Sequence, residues 1–412
     1  MKRLLFLSLI AALTACNSNP KTAMPNKSTT ILKSGIWRAT LQLTAEVELP
    51  FNFEVDTVGN LFIINAAERL KVTEISNTGD SIQIIFPVFG TYIKAKLSTN
   101  GDTLVGVWVN PEKKDYEIPF FAQFNRMERF AAAEAPALFN ANGRWSVTFS
   151  PGTADSYPAI GVFEQNEHQV TGTFLTETGD YRYLEGQVEG GSLSLSCFDG
   201  AHAFLFTANA EGDTIKDGIF YSGKHWQEPW TAIKNDSVVL ADADTLTYLK
   251  EGYDKLDFAF ADEKGDTVRL TDARFKGKVL IVQIMGTWCP NCMDETIFFV
   301  ELYQKYHKDG LEIIAIDYEI RNDFEVFQKN IARMRRDLGV EYTCLFGGPA
   351  KKAEAAATLP MLNHILSYPT AIFIDKAGKI QRIQTGFSGP GTGALYEQYV
   401  AKTNKLIAQL LK

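Results

Sequence analysis

Apolar and polar residues alternate along the first half of the chain. Between Trp37 and Leu49 every second residue is apolar, and polar or charged residues fill the positions between them. A period of two sustained over this length is typical of a half-buried β-strand. Shorter apolar runs at 81–86 and 103–109 are separated by glycine, asparagine and aspartate. This half of the chain is therefore predicted to be all-β.

The same half contains an internal repeat. Three short segments recur in similar form: GIW at 35–37 and GRW at 143–145, GDTLVGVW at 101–108 and GDTIKDGIF at 212–220, EIPFFA at 117–122 and EPWTA at 228–232. Repeated motifs in the same order indicate a repeated structural unit. We therefore predict two antiparallel β repeats, barrel- or sandwich-like, at residues 34–130 and 140–235.

Tryptophans are concentrated in these repeats. Five of the six lie there, namely Trp37, Trp108, Trp145, Trp226 and Trp230. Large aromatic side chains of this kind pack in cores, but they also line ligand mouths and partner surfaces. Both interpretations remain open from the sequence.

Beyond the repeats, strand and helix patterns alternate. KVLIVQIM at 278–285 is a continuous apolar run, as expected of a central buried strand. Further elements are predicted as helices at 292–308, 322–338, near 350–365 and at 395–411, and as strands LEIIAID at 311–317, YTCLF, TAIFID and KIQRIQ. Residues 253–412 are therefore predicted to form an α/β domain.

The N-terminus has the pattern of an export signal. Lys2 and Arg3 precede a short apolar run, too short to span a membrane, that ends in LTAC at 13–16. LTAC resembles the lipobox of bacterial lipoproteins, which implies a signal peptide at 1–15 and lipidation of Cys16. Asn17 after that cysteine favours the outer membrane over the inner one, and the polar residues 16–33 are predicted to form a flexible tether.

Composition excludes one class of partner. The formal net charge is -8, which gives no basic face for nucleic acid. Export also matters for the cysteines, because thiols in an oxidising compartment pair or are buried. Besides Cys16 the chain has Cys197, Cys289, Cys292 and Cys344. Cys197 and Cys344 lie in apolar strand patterns and are predicted to be buried thiols, although a third redox role for Cys344 stays open.

Cys289 and Cys292 stand where the predicted central strand gives way to a helix. The first turn of a helix presents unpaired N–H groups and a partial positive charge, which stabilise a thiolate. We therefore expect Cys289 to be an exposed nucleophile. Cys292, one turn further in, is placed to attack the mixed disulfide that Cys289 forms. Pro290 suits the first helical turn because its missing N–H would have had no partner.

The segment GTWCPNCMDE resembles the active site of TlpA/ResA-like exported thiol–disulfide oxidoreductases, which have a thioredoxin fold. The second matching motif is SYPT at 367–370. The resemblance covers 253–412. It implies a dithiol–disulfide enzyme that uses Cys289, Cys292 and Glu295, with a cis Pro369 facing the cysteines. It also implies substrate contacts from the three residues Trp288, Tyr368 and Pro369. Gln283 replaces the buried aspartate of thioredoxin, which leaves a proton-transfer role to Glu295 or to water.

The resemblance further implies partners. These are client proteins with disulfides or thiols, an upstream membrane electron donor, and the membrane itself through the lipid anchor. The expected task is reduction of client disulfides. No cofactor is expected, and no metal, since His307 and His364 show no useful spacing to the cysteine pair. Two alternatives stay open: a lipoprotein whose β repeats bind a ligand or partner, and a thiol peroxidase, although Gly286 stands where peroxidases need threonine or serine.

Overall fold

The protein is described by a computed structural model that covers residues 32–72, 74–78 and 81–412. The predicted signal peptide, the predicted lipidation site Cys16 and nearly all of the predicted tether lie outside these residues. Within them, no helix combines the length and the apolar character needed to cross a membrane.

The first β repeat is an antiparallel meander in the order β4-β3-β2-β1-β9-β8-β7-β6-β5. Its strands are β1 (Gly35–Gln42), β2 (Glu48–Val55), β3 (Leu61–Asn65), β4 (Glu68–Val72), β5 (Glu74–Thr78), β6 (Ser81–Ile85), β7 (Tyr92–Leu97), β8 (Thr103–Val109) and β9 (Glu117–Phe124). The two edge strands, β4 and β5, follow each other in the chain. The sheet therefore forms a nearly closed barrel, whose apolar residues fill its interior.

The second repeat closes completely. Its strands are β10 (Gly143–Phe149), β11 (Tyr157–Asn166), β12 (Gln169–Thr176), β13 (Gly179–Asp180), β14 (Leu184–Glu189), β15 (Ser192–Phe198), β16 (Ala203–Glu211), β17 (Thr214–Ser222) and β18 (Trp226–Lys234). The order is β11-β10-β18-β17-β16-β15-β14-β12-β13, and an additional β11–β12 pairing closes the barrel. The short strand β13 pairs only with β12 and projects as a hairpin tip.

The repeat is confirmed by two equivalent tryptophans. The indole N–H of Trp37 donates to the carbonyl of Lys33 at 3.0 Å, and that of Trp145 donates to the carbonyl of Ala141 at 2.8 Å. Both side chains are fully buried, as are Trp108 and Trp230. Packing in the two barrel cores therefore accounts for four of the five tryptophans in this half. Trp226 is the exception, at 53% exposure.

The third sheet is mixed, in the order β20-β19-β23-β22-β21-β24-β25. Its strands are β19 (Ala259–Asp262), β20 (Thr267–Arg269), β21 (Val279–Met285), β22 (Leu311–Glu319), β23 (Thr343–Pro349), β24 (Thr370–Ile374) and β25 (Ile380–Thr385). β21, β22 and β23 are parallel, and the other pairings are antiparallel. This arrangement is that of a thioredoxin-like domain with β23 inserted between β22 and β19.

Five helices accompany this sheet in the described chain: α1 (Ala243–Leu246), α2 (Pro290–Tyr306), α3 (Phe324–Leu338), α4 (Lys352–Thr358) and α5 (Ala394–Leu410). The expected helix near 350–365 is shorter than predicted. The chain leaves the helix at Leu359 and forms an isolated bridge between Leu249 and Leu362. Backbone pairing across sequence positions so far apart has no local signal.

The three modules touch one another. Between the first barrel and α3, the Val88 N–H donates to Asp337 Oδ2 at 2.9 Å, and Arg333 Nε donates to the Val88 carbonyl at 2.6 Å. The second barrel reaches the thioredoxin-like domain through its β13 hairpin tip. That contact lies beside the two cysteines.

Candidate active site

Cys289 lies at the junction of β21 and α2. It is the N-cap of α2, and Pro290 occupies the first helical turn. Cys289 Sγ accepts a hydrogen bond from the Cys292 N–H at 3.4 Å, and its S–H donates to the Tyr368 carbonyl at 3.4 Å. The sulfur is thus held between a helix N-terminus, which stabilises negative charge, and the loop that precedes β24.

The prediction that Cys289 is exposed is wrong. Its side chain is only 8% exposed. The cavity beside it is walled on one side by Trp288, Pro290 and Tyr368, and on the other by residues of the second barrel, including Gly179. The alternating pattern of that barrel gave no sign that its hairpin tip would dock onto the cysteine pair. The burial is therefore a product of long-range packing.

Cys292 is completely buried one turn inside α2. Burial raises the pKa of its thiol well above the ordinary value, and its hydrogen bond with Cys289 and the proximity of Glu295 add to the effect. A thiol in this environment holds its proton until a base accepts it. The two cysteines thus differ in their surroundings, because Cys289 caps the N-terminus of α2 and Cys292 lies within the helix.

Glu295 is buried beside Cys292. Its Oε2 accepts from Gln283 Nε2 at 3.0 Å, and its Oε1 accepts from the Tyr399 hydroxyl at 2.9 Å. Burial raises the pKa of this carboxyl to about 7, against the opposing effect of the two hydrogen bonds. Gln283 also donates to the Cys292 carbonyl at 3.4 Å. The carboxyl group can therefore exchange a proton near neutral pH.

The SYPT motif faces the cysteines, as the resemblance implied. The Tyr368–Pro369 peptide bond is cis, and its carbonyl, that of Tyr368, accepts the Cys289 S–H. The ring of Tyr368 meets that of Trp288 edge-on, with centroids 5.6 Å apart. Trp288 is fixed by its own indole N–H, which donates to the Tyr318 carbonyl at 2.9 Å. All six of the predicted site residues in the thioredoxin-like domain are therefore brought to one place.

A buried acid pair under the active-site loop was not foreseen. Asp317 Oδ1 accepts from the Thr287 N–H at 2.9 Å, and Glu319 Oε1 accepts from the Thr287 hydroxyl at 2.6 Å. Burial, together with the neighbouring Glu319, raises the pKa of Asp317 well above its usual range. The acidic end of β22 was the available signal, because a carboxylate closing an apolar strand lies at the sheet edge that carries the cysteines.

Arg182 of the second barrel was also missed. Its side chain is 7% exposed, and its guanidinium forms ion pairs with Glu68 at 2.7 Å, with Asp199 at 2.9 Å and with Asp294. These carboxylates belong to the first barrel, the second barrel and α2 respectively. Burial raises the pKa of Asp294 to about 7, with Arg182 acting in the opposite direction. No local pattern around Arg182 indicated such a junction.

The other two cysteines are buried thiols, as predicted. Cys197 and Cys344 are free and fully buried. Burial raises the pKa of Cys344 to about 12 and that of Cys197 well above its ordinary value, so both stay protonated at neutral pH. Among the described residues no group of three or more His, Cys, Asp or Glu side chains is arranged to hold a metal.

Gly286 bears on the peroxidase alternative. A Cβ atom at this position would lie 2.3 Å from Trp288 Nε1 and 2.9 Å from the Tyr318 carbonyl oxygen. Both distances are too short for any side chain. With Trp288 in this position, the site has no room for the threonine or serine of a peroxidase at residue 286.

Comparison with known proteins identifies the same region. Residues 252–383 match the AhpC/TSA family. The thiol-disulfide oxidoreductase ResA of Bacillus thuringiensis subsp. konkukian is 32% identical over 152 residues, which are 37% of this chain and 77% of that protein. ResA of Bacillus subtilis is 26% identical over 140 residues, 34% of this chain and 69% of that protein.

Solved structures align with the same part of the chain. A thiol:disulfide interchange protein of the thioredoxin family from Chlorobium tepidum covers 40% of this chain and 99% of its own, at 18% identity and a TM-score of 0.30. A thiol-disulfide oxidoreductase from Bacteroides fragilis covers 35% and 99%, at 21% identity and a TM-score of 0.28. Because of its sequence identity with the ResA proteins, this chain belongs to the TlpA/ResA family of thiol–disulfide oxidoreductases through its C-terminal domain.

Proposed function

We propose that this protein is a membrane-anchored periplasmic oxidoreductase that reduces disulfides of client proteins with the Cys289/Cys292 dithiol. One observation carries the proposal. The sulfur of Cys289 caps α2, 3.4 Å from the Tyr368 carbonyl and within reach of the Cys292 N–H. A nucleophilic sulfur, a second sulfur behind it and a backbone acceptor thus meet at one point.

The reaction proceeds in two exchanges. The Cys289 thiolate attacks one sulfur of the client disulfide, a mixed disulfide forms, and the other client sulfur leaves as a thiolate that takes up a proton. Cys292 then loses its proton and attacks the Cys289 sulfur, which releases the second client thiol. The client gains two electrons and two protons, and the enzyme is left as a disulfide. A dithiol reductant must restore it.

Glu295 is the proposed acceptor of the Cys292 proton. Cys292 is buried with a raised pKa, so its deprotonation needs a base close by. Glu295 is buried one turn further along α2, and its pKa of about 7 suits a group that exchanges protons at neutral pH. Gln283, which donates to both Glu295 and the Cys292 backbone, holds the carboxylate in place as a positioning residue.

The cis loop and Trp288 are the proposed substrate contacts. Tyr368 lines the cavity beside Cys289, and Pro369 follows it in the same loop, where an extended client segment can run beside the backbone. Trp288 lines the same cavity and is held to β22 by its hydrogen bond to the Tyr318 carbonyl. These assignments place Trp288, Tyr368 and Pro369 in substrate binding rather than in proton or electron transfer.

Location follows from the N-terminus in this proposal. The apolar leader and LTAC at 13–16 support export, cleavage and lipidation at Cys16, and Asn17 favours the outer membrane. Electrons would then come from a donor at the membrane. Mass analysis of Cys16 in membrane fractions tests this part separately, with Cys16→Ser as the unlipidated control.

The activity is tested by dithiol–disulfide cycling of the purified protein, with dithiothreitol as the reductant. Cys289→Ser removes the attacking sulfur and is expected to reduce the cycling rate to the uncatalysed level. Cys197→Ser changes a buried thiol of the second barrel and is expected to keep the wild-type rate. An unchanged rate in Cys289→Ser would refute the proposal. A peroxide consumption assay on the same samples tests the peroxidase alternative, for which we expect no cysteine-dependent turnover.

A further inference from the structure

The hairpin tip of the second barrel, residues 176–183, lies across the active site. It comprises the turn between β12 and β13 and the residues that lead to β14. A cavity of about 260 Å³ lies between it and Cys289. The tip supplies Thr178, Gly179 and Asp180 to this cavity, and the thioredoxin-like domain supplies Cys289 and Tyr368.

Hydrogen bonds fasten the tip to both sides of the site. The Ser367 hydroxyl donates to the Thr178 carbonyl at 2.7 Å, on the loop that carries the cis proline. Asn291, between the two cysteines, donates to the Asp180 carbonyl at 3.3 Å. The Asp180 carboxylate accepts from the Gly389 N–H at 2.6 Å. The tip therefore bridges the residues on either side of Cys289.

The tip and the thioredoxin-like domain are closely packed against each other. A Cβ atom on Gly179 would lie 2.2 Å from Asn291 Nδ2, and one on Gly386 would lie 2.8 Å from the Thr178 carbonyl carbon. Both positions have positive φ, 149° at Gly179 and 71° at Gly386, which glycine adopts without strain. Approaches this close, to the Asn291 side chain and to the Thr178 backbone, leave little freedom for the tip to settle elsewhere.

Arg182 secures the tip to the rest of the molecule. Its ion pairs join the tip to α2 through Asp294, to the first barrel through Glu68 and to the body of the second barrel through Asp199. Asp294 is two residues beyond Cys292 in the chain. A buried guanidinium with three carboxylate partners holds a fixed geometry, because turning it would break several charge-assisted hydrogen bonds at once.

We propose that this tip is the second wall of the substrate cleft and selects substrates by size. This inference rests on the proposed function. Ligand pockets for drug-sized molecules span roughly 300 to 1,000 Å³, so a cavity of about 260 Å³ holds a disulfide with little more than its adjoining residues. The cleft accepts a disulfide on a short flexible chain and excludes one held on the surface of a folded protein.

The test compares two substrates at fixed dithiothreitol: a short linear peptide disulfide and a folded protein with a surface disulfide. Asp294→Asn weakens the ion pair with Arg182, and Ser367→Ala removes the contact with Thr178. The matched control is Glu301→Gln, an exposed position on α2. Loss of a charge-assisted hydrogen bond corresponds to about a tenfold change in an equilibrium constant. We expect Asp294→Asn to raise the ratio of folded-protein to peptide rates by about that factor.

The peptide rate separates access from thiol chemistry. A variant that alters both rates equally has changed the cysteines, not the cleft. The inference is overturned if the wild-type protein reduces both substrates in the same ratio as dithiothreitol alone, or if neither Asp294→Asn nor Ser367→Ala changes the ratio. In both cases cysteine-dependent turnover continues, so the proposed function stands. Loss of turnover on every substrate would instead refute the proposed function.

A measurement without turnover gives an independent check. In the whole chain with Cys16→Ser, alkylation of Cys289 is followed with a small maleimide and with a polymer-linked maleimide. We expect the bulky reagent to be strongly disfavoured in the wild-type background and to gain on the small one in Asp294→Asn. Equal alkylation of Cys289 by both reagents in the protein that carries only Cys16→Ser would contradict a closed cleft.

Discussion

The hydroxyl of Tyr399, on the last helix, donates a hydrogen bond of 2.9 Å to Oε1 of Glu295, on the helix that carries the cysteines. Both side chains are buried. The bond stabilises the charged carboxylate and so opposes the effect of burial, which still raises the pKa of Glu295 to about 7. A residue more than a hundred positions away in the chain thus tunes the proposed proton acceptor of Cys292.

Tyr399→Phe is expected to shift the pH dependence of the resolving step. Without the hydroxyl donor the pKa of Glu295 rises further, so the carboxylate becomes available only at higher pH. A hydrogen bond to a charged group contributes about 1.5 kcal/mol or more, which moves the acid limb up by about one pH unit. Single-turnover release of client thiol, measured from pH 5.5 to 9, checks this.

Tyr396→Phe is the matched control. Tyr396 is half-buried on the same helix and packs on Phe387, with centroids 6.0 Å apart, without contacting Glu295. Its profile should coincide with that of the wild type. A Tyr399→Phe profile that falls in amplitude at every pH without moving would assign the tyrosine a structural role only.

Glu295→Gln is expected to flatten the pH dependence of stability. The folded-state pKa of Glu295 is raised from its ordinary value of 4.5 to about 7, so the folded protein binds more protons than the unfolded chain in this window. Stability therefore falls as pH rises from about 4.5 to 7, by about 3 kcal/mol in total for this group. Asp294, with its pKa also raised to about 7, adds a fall of the same sign.

Urea unfolding at pH 5 and pH 8 measures the effect. The difference in unfolding free energy between the two pH values should shrink in Glu295→Gln and stay unchanged in Glu301→Gln, on the exposed face of the same helix. An equal pH difference in wild type and Glu295→Gln would mean that Glu295 is ionised in the folded state well below pH 7.

The two barrel tryptophans offer a paired test of the repeat. Trp37 and Trp145 donate equivalent indole hydrogen bonds to carbonyls four residues earlier. Phenylalanine at either position removes the donor and part of the buried ring. Each change is expected to lower the free energy of unfolding by about 1 to 3 kcal/mol. Denaturant curves that show a loss at one position and none at the other would contradict equivalent roles.

Cys344→Ala separates structure from redox chemistry. The thiol is buried with a pKa of about 12, so it contributes no thiolate at neutral pH. Cycling activity should remain at the wild-type level, while stability falls by about 1 to 2 kcal/mol because a cavity is left in the core. Activity assays and urea unfolding on one preparation check both parts. A large loss of cycling at unchanged stability would assign Cys344 a redox role.

Local pattern was sufficient for much of this molecule. Alternation around Trp37 and the duplicated GIW and GRW motifs predicted two β repeats, and the apolar run 278–285 predicted the central strand. The position of the cysteine pair could then be predicted, because the pair lies where this strand ends and a helix begins. The loop that faces the cysteines was predicted from the resemblance of SYPT to a known family.

Contacts between modules had no such signal. The burial of Cys289 comes from a hairpin tip about 110 positions earlier in the chain, and no periodicity in the tip marks it as a docking surface. In the sequence Arg182 is an ordinary cation beside a strand, and only the structure brings its three carboxylate partners together. Glu295 reads as a helical surface residue, and only the packing of α5 and Tyr399 shows that it is enclosed.

The central claim is that Cys289 attacks the client and Cys292 resolves the product, and trapping tests it most directly. In Cys292→Ser the second exchange cannot occur, so a client should remain covalently attached. Digestion and mass analysis should locate the bond at Cys289, reversible by dithiothreitol and absent from the Cys289→Ser, Cys292→Ser double variant. Recovery of no adduct, or of one at Cys197 or Cys344, would contradict the account.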